Sequence, residues 1–168
     1  MIKYFNEIFV TFFGIGKIKF APGTFASLIT SIILFFFFHF LNLSSHLILY
    51  ILLIIFVYSF YAVSKYIESN DNKDPKEVVI DEVIGQSIPI YLYEVAHGTT
   101  KDSQESIMFY LYIFILFRFF DIKKPFPVNY FDKNFKNSFG VILDDVVAGI
   151  YVVLTLIIFM IIKSKLFT

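Results

Sequence analysis

Apolar residues occur along the chain in long blocks separated by short polar stretches. Three apolar runs cover residues 25–43, 46–62 and 146–162. At ~1.5 Å of rise per residue, each is long enough as a helix to cross the ~30 Å hydrocarbon core of a membrane. Two shorter apolar segments, 83–96 and 107–120, are predicted to be tilted or partly inserted helices. The pattern therefore predicts an all-α fold, a compact helical bundle of about five apolar membrane helices in one domain covering residues 1–168.

The segment before the first long run has a different period. In residues 2–13 the apolar side chains recur at helical spacing, at Ile2, Phe5, Phe9 and Phe12. This spacing predicts a short N-terminal amphipathic helix that lies at the membrane interface. An ordinary helix that faces the protein core fits the same spacing.

The next segment, residues 14–24, is predicted to be a loop. Its glycines and its Pro-Gly pair interrupt any helical period and favour a turn. Gly14 and Gly16 would let backbone N–H groups approach an anion, although a simple loop fits equally. Thr24 is predicted to cap the helix that follows.

Composition removes several classes of function. The chain is 58% hydrophobic, contains 24 Phe and has a formal net charge of zero. A neutral chain has no overall basic field, so we expect no nucleic-acid partner. The chain has no Cys, which excludes disulfides, thiolate catalysis and zinc sites with Cys ligands.

One polar stretch, residues 118–149, stands out between apolar helices. It contains Arg118, the only arginine of the chain. A lone arginine in an apolar helix needs a partner or a ligand, and its planar fork suits a phosphate or a carboxylate. An ion pair with Asp121, one turn later, is the alternative use. Lys124 precedes a proline on a stiffened turn and is a second candidate for contact with a phosphate.

Two acidic pairs carry the remaining candidate chemistry. Asp81-Glu82 begins the sequence DEVIG, and Asp144-Asp145 begins the similar sequence DDVVAG. Acidic residues favour helix N-termini in any case, which accounts for one acid of each pair. Four carboxylates that converge would hold a hard divalent cation such as Mg²⁺ and supply a general base. The candidate metal ligands are Asp81, Glu82, Asp144 and Asp145, and the candidate catalytic residues are Asp81, Asp121, Asp144 and Asp145.

The distribution of lysines predicts the topology. If every apolar segment crosses the membrane, most lysines lie on one side, together with the 14–24 loop, both acidic pairs and the 118–149 stretch. By the positive-inside rule that side is cytoplasmic. Lys163 and Lys165 would then face outward, against the rule. His39 and His46 flank a polar turn and are predicted to be interfacial histidines without functional partners rather than a metal pair.

The ordered set of motifs resembles the phosphatidylglycerophosphatase A family over nearly the whole chain. The motifs are G-x-G-x(5)-P-G-T from Gly14, D-E-x-x-G from Asp81, R-x-F-D-I-x-K-P-x-P from Arg118, Asp132, and G-V-x-x-D-D-V-x-A-G-x-Y from Gly140. The chain departs from the family where Asn137-Ser138 replaces Gly-Gly, Phe126 replaces Trp and Ala26 replaces Gly.

The resemblance implies an all-helical, multi-pass protein of the bacterial inner membrane whose active site faces the cytoplasm. It implies a Mg²⁺-dependent phosphatase that hydrolyses phosphatidylglycerophosphate to phosphatidylglycerol and phosphate. The candidate substrate-binding residues are Arg118, Lys124, Gly14, Gly16 and Thr24. The alternative is a small membrane transporter or scaffold that uses the helix-end carboxylates as an ion site. Charges in the middle of the spans would favour that alternative, whereas here they lie at helix ends.

Overall fold

The computed structural model describes residues 2–69, 75–97, 103–130, 135 and 137–166. Across these ranges the regular backbone is helical and contains no strand, which confirms the predicted all-α class. The described ranges contain six helices of nine or more residues: α1 (Ile2–Val10), α2 (Pro22–Phe35), α3 (Ser45–Glu68), α4 (Ile80–His97), α5 (Ser103–Lys123) and α6 (Ser138–Leu166). A 3₁₀ turn (Ile15–Lys17) follows α1, and α2 continues into a π-helical turn (Phe36–Phe40).

Within the described part of the chain, three helices are long and apolar enough to cross a membrane. They are Pro22–Phe40, Ser45–Glu68 and Ser138–Leu166. The predicted count of about five apolar membrane helices is therefore not confirmed: three helices qualify as candidate spans by length and composition. Segments 83–96 and 107–120 do form helices, within α4 and α5, but whether they cross the membrane remains a prediction.

Helix α1 packs against α3 with a different face from the one that the apolar spacing predicts. Asn6 and Val10 are buried, whereas Phe5 is 60% exposed. The Tyr58 hydroxyl of α3 donates a 2.6 Å hydrogen bond to the Asn6 side chain. The helix is confirmed but ends at Val10, and its position at a membrane interface remains a prediction.

Helix α2 begins earlier than expected. Ala21 is its N-cap in a left-handed conformation, with φ of 47°, and Pro22 is the first helical residue. Proline suits that position because the first N–H groups of a helix have no intrahelical partner. The prediction that Thr24 caps the helix is therefore wrong. Its N–H instead bonds to the Ala21 carbonyl within the first turn, at 3.0 Å.

Helices α4 and α6 form the centre of the bundle and cross at two glycines. A Cβ added to Gly149 would lie 2.5 Å from the Gly85 carbonyl oxygen. Only residues without a side chain allow two helix backbones to come this close. Apolar clusters lie on both sides of the crossing, one including Phe38, Ile90 and Phe117 and the other including Val10, Val63 and Ile142.

A buried polar pair joins the π-helical turn to the second half of α4. His39 Nε2 lies 3.1 Å from Glu94 Oε1, and the two side chains are 5% and 2% exposed. His39 thus has a structural partner, whereas the prediction that it has no functional partner stays a prediction. His46 is exposed at the start of α3.

Candidate active site

A cavity of about 550 Å³ opens at the end of the bundle where α2, α4 and α6 begin and α5 ends. Eight of its lining residues are charged, and all of them except Lys76 are predicted from the sequence to form the site. The predicted ones are Asp81, Glu82, Arg118, Asp121, Lys124, Asp144 and Asp145. The structure thus brings both acidic pairs and both candidate phosphate ligands to one place.

Three of the carboxylates form a compact cluster. One ligand atom each from Asp81, Glu82 and Asp145 lies within 4.8 Å of the others. Asp81 Oδ1 and Glu82 Oε2 are buried, and neither has a hydrogen-bond partner among the residues that the structure describes. A buried oxygen without a donor is costly, and a divalent cation would remove that cost. The donor set therefore fits a hard cation such as Mg²⁺.

Burial changes the acidity of two members of the cluster, which lie outside the three candidate membrane spans. It raises the pKa of Asp81 well above its usual range, and the adjacent Glu82 carboxyl raises it further. Burial also raises the pKa of Glu82 to about 7, although the hydrogen bond with Asp81 and the charge of Arg118 act in the opposite direction. Both shifts favour the protonated forms, so a nearby cation would be needed to hold both acids as anions.

Close helix contacts place the acids. Asp81 and Asp145 each lie four residues before a glycine of the α4–α6 crossing, so that contact brings them to the same level of the bundle. At the start of α2, a Cβ added to Gly23 would overlap Glu82 Oε1. Gly23 therefore leaves the space that the Glu82 carboxylate occupies.

Arg118 faces the cluster from α5. Its Nη1 lies 2.5 Å from Asp121 Oδ2 and 3.5 Å from Ser27 Oγ. The ion pair predicted as an alternative is thus present. However, Arg118 Nε is buried and has no hydrogen-bond partner within the described part of the chain. The guanidinium therefore has a donor left for a ligand.

Lys124 and Asp144 form a second ion pair at the cavity. Lys124 Nζ lies 2.8 Å from Asp144 Oδ2, and Asp144 Oδ1 accepts the Asp145 N–H at 3.1 Å. Lys124 directly follows α5 in a left-handed conformation, with φ of 44°. This conformation is common just after a helix C-terminus, although a residue other than glycine adopts it at a cost. The strained residue is thus the one whose side chain forms the ion pair with Asp144.

The comparison with known families agrees with this arrangement. The model of the family described as phosphatidylglycerophosphatase A matches residues 8–160. The chain belongs to the phosphatidylglycerophosphatase A family. The resemblance drawn from the sequence motifs is therefore confirmed.

Two relatives of this chain carry different names. A Haemophilus influenzae protein named phosphatidylglycerophosphatase A is 37% identical over 142 residues, which cover 84% of this chain and 80% of the relative. A Bacteroides thetaiotaomicron protein named "Putative phosphatidylinositol-3-phosphatase" is 35% identical over 142 residues, covering 84% of each chain. No solved structure matches the chain significantly.

Three of the candidate substrate-binding residues lie apart from the cavity lining. Gly14, Gly16 and Thr24 are all described, and none is among the lining residues. A Cβ added to Gly16 would overlap the Glu77 carbonyl oxygen, so this glycine permits a close backbone contact. Their role in substrate binding remains a prediction. Asp132, part of the same motif set, lies outside the described residues.

Sequence reasoning missed two residues that shape the site. Gly23 was noted only as a turn residue, yet it lies against Glu82. Ser27 is buried one turn later on α2 and accepts a long hydrogen bond from Arg118. Their spacing of four residues places them on one helix face, but only the tertiary fold shows what that face contacts.

Proposed function

We propose that this protein is a Mg²⁺-dependent lipid phosphatase that hydrolyses phosphatidylglycerophosphate to phosphatidylglycerol and inorganic phosphate. The observation that carries the proposal is the cluster of Asp81, Glu82 and Asp145, which shares one cavity with Arg118 and Lys124. Acids that hold a metal and cations that hold a phosphate are the two requirements of phosphoryl transfer to water. Membership of the family supports this reaction.

The metal site comprises the three clustered carboxylates. Asp81, Glu82 and Asp145 would hold Mg²⁺, which when bound activates water and neutralises charge on the phosphoryl oxygens. Asp144 was also predicted as a ligand, but its carboxylate pairs with Lys124. We assign Asp144 to positioning Lys124, and its ligation of the metal remains a prediction.

The basic residues bind and orient the phosphate. Arg118 offers its unpartnered Nε to a phosphate oxygen, while Asp121 holds the guanidinium in place. Lys124 contributes a second positive charge from the end of α5. In the reaction, a water oxygen bonds to phosphorus as the bond from phosphorus to the glycerol oxygen breaks. A carboxylate of the site accepts the water proton, and the glycerol oxygen gains a proton as it leaves.

The apolar surroundings suit a lipid rather than a soluble phosphate ester. Helices α2 and α6 carry cavity residues in their first turns and then continue as candidate membrane spans. This arrangement would hold the head group at the membrane surface while the acyl chains remain in the bilayer. We place the site at the cytoplasmic face of the bacterial inner membrane, where the positive-inside rule puts most lysines.

The side of the membrane can be tested directly because the chain has no Cys. A Lys19→Cys variant places a single thiol in an exposed loop on the same side as the site. In intact spheroplasts it should resist a membrane-impermeant maleimide and react only after lysis. Labelling before lysis would place the site on the outer face.

The substrate is tested by comparing head groups. The purified protein in mixed micelles is given phosphatidylglycerophosphate or phosphatidylinositol 3-phosphate with matched acyl chains, and phosphate release is measured. We expect a higher kcat/KM for phosphatidylglycerophosphate. Preference for the inositol lipid would reassign the substrate to the activity named for the Bacteroides relative. Ion flux in proteoliposomes with no hydrolysis of either lipid would favour the transporter alternative.

A further inference from the structure

A second large groove lies far from the acidic cluster. Its volume is about 650 Å³, and it runs between the second halves of α4 and α6, beyond the Gly85–Gly149 crossing. Its walls include Pro89, Leu92 and Ala96 of α4 and Val153, Leu156 and Met160 of α6. It shares no lining residue with the acidic cavity.

The groove is apolar and open. Leu92, Ile157 and Met160 are 44%, 46% and 49% exposed. Its lining contains no acidic side chain among the described residues. A concave apolar surface of this size beside the candidate membrane span α6 is suited to an acyl chain.

One wall of the groove consists of ring side chains that contact one another. His97 Nδ1–H donates a 3.0 Å hydrogen bond to the Tyr93 carbonyl, and the Tyr93 ring stacks on Phe109 with centroids 5.1 Å apart. All three residues line the groove. Its shape is therefore preformed along this wall, which lowers the entropic cost of binding a chain there.

A positive charge lies at the end of the groove. Lys163 lines it and has no ion-pair partner within the described ranges. Lys163 follows Asp145 by 18 residues of continuous helix, a rise of about 27 Å. This rise is close to the ~30 Å thickness of the hydrocarbon core. With Asp145 near one membrane surface, Lys163 therefore reaches the head-group level of the other.

We propose that this groove binds one anionic phospholipid of the leaflet opposite the acidic cluster. An acyl chain lies between α4 and α6, and the lipid phosphate contacts the Lys163 ammonium. This role also accounts for a positive charge on the side of the membrane where the positive-inside rule does not expect one. The site is separate from the proposed active site, and its existence does not depend on the proposed reaction.

The test uses the absence of tryptophan from the chain. An Ile157→Trp variant places the sole tryptophan in the groove, and Ile54→Trp, at a residue that is 69% exposed on α3, is the matched control. Both are reconstituted in phosphatidylcholine vesicles with brominated phosphatidylserine or brominated phosphatidylcholine. Phosphatidylserine is chosen because it is anionic and its serine head group makes it neither the proposed substrate nor the proposed product.

Quenching by brominated phosphatidylserine should reveal an apparent affinity about five-fold above that for phosphatidylcholine at the groove tryptophan. For Ile54→Trp, the ratio of the two apparent affinities should be near one. Adding Lys163→Gln to Ile157→Trp should abolish the preference for phosphatidylserine at the groove tryptophan. Adding Lys165→Gln should leave this preference unchanged, because Lys165 is not a lining residue. Equal quenching by both lipids in the groove would overturn the proposal. So would equal losses from the two lysine substitutions, which would indicate a general surface-charge effect.

Discussion

Gly149 of α6 lies against the backbone of Gly85 of α4, and its missing side chain makes the contact possible. A Cβ on Gly149 would lie 2.5 Å from the Gly85 carbonyl oxygen, and a Cβ on Gly85 would lie 2.6 Å from the Asp145 carbonyl oxygen. Each glycine follows a clustered acid by four residues, about one helical turn. The spacing between two helix backbones therefore sets the spacing between Asp81 and Asp145.

A methyl group at this crossing should separate the acids. Gly149→Ala should cost about 1–3 kcal/mol of stability through overpacking and should reduce phosphate release by a larger factor than an exposed substitution does. Thermal unfolding in detergent and phosphate release measure the two effects. Ile150→Ala, at a residue that is 44% exposed on the same helix, is the control. Wild-type activity in Gly149→Ala would show that the crossing does not position the acids.

Gly23 provides a more local test of the same cluster. In Gly23→Ala the new methyl group would occupy the position of Glu82 Oε1, so the carboxylate must move. We expect weaker Mg²⁺ binding and a higher Mg²⁺ concentration for half-maximal activity. Leu28→Ala, at a partly exposed residue further along α2, should leave both unchanged. An unaltered Mg²⁺ requirement in Gly23→Ala would remove Glu82 from the metal site.

The adjacent aspartates of α6 should have different roles. Asp145 belongs to the carboxylate cluster, whereas Asp144 pairs with Lys124. Asp145→Asn should weaken Mg²⁺ binding by at least about 10-fold. Asp144→Asn should leave Mg²⁺ binding close to that of the wild type while raising KM, because Lys124 loses its ion pair with Asp144. Mn²⁺ binding followed by electron paramagnetic resonance separates the two effects. If Asp144→Asn lowered the metal affinity as much as Asp145→Asn does, Asp144 would also be a ligand, as the sequence predicts.

Metal binding should depend on pH near neutrality. Burial raises the pKa of Glu82 from 4.5 to about 7, so the folded state retains a proton that the unfolded chain releases near pH 4.5. Stability of the metal-free protein should therefore fall as the pH rises between these values, because the unfolded state binds fewer protons. Mg²⁺ requires the carboxylate form, so its affinity should rise over the same range. The increase in melting temperature on adding Mg²⁺ should thus be larger at pH 8 than at pH 5.5. A pH-independent increase would contradict a role for Glu82 as a ligand.

The sequence predicts the parts of the site that depend on local spacing. The repeated sequences DEVIG and DDVVAG place an acid one turn before a glycine, and this relation persists in the helices that cross at Gly85 and Gly149. The Arg118–Asp121 pair likewise follows from a spacing of three residues on α5. These features need only the helical period, which the apolar pattern already indicates.

Contacts between segments that are far apart in the sequence cannot be predicted from local spacing in this way. Glu82 fills the space above Gly23, and His39 pairs with Glu94, in each case more than 50 residues away. A glycine in a turn and a histidine near a polar turn have common local explanations, and only packing of α2 against α4 reveals their partners. The sequence also predicts too late a start for α2, because a Pro-Gly pair favours a turn in most contexts, whereas Pro22 here occupies the first helical position.

The central claim is that a divalent cation on Asp81, Glu82 and Asp145 is required for phosphate release. The most direct measurement is phosphate release from phosphatidylglycerophosphate by the purified protein with Mg²⁺, with excess EDTA, and after Mg²⁺ is restored. We predict activity with Mg²⁺, loss of that activity in EDTA, recovery on restoration, and little activity of Asp145→Asn under all three conditions. Full activity in EDTA, or wild-type activity of Asp145→Asn, would contradict the account.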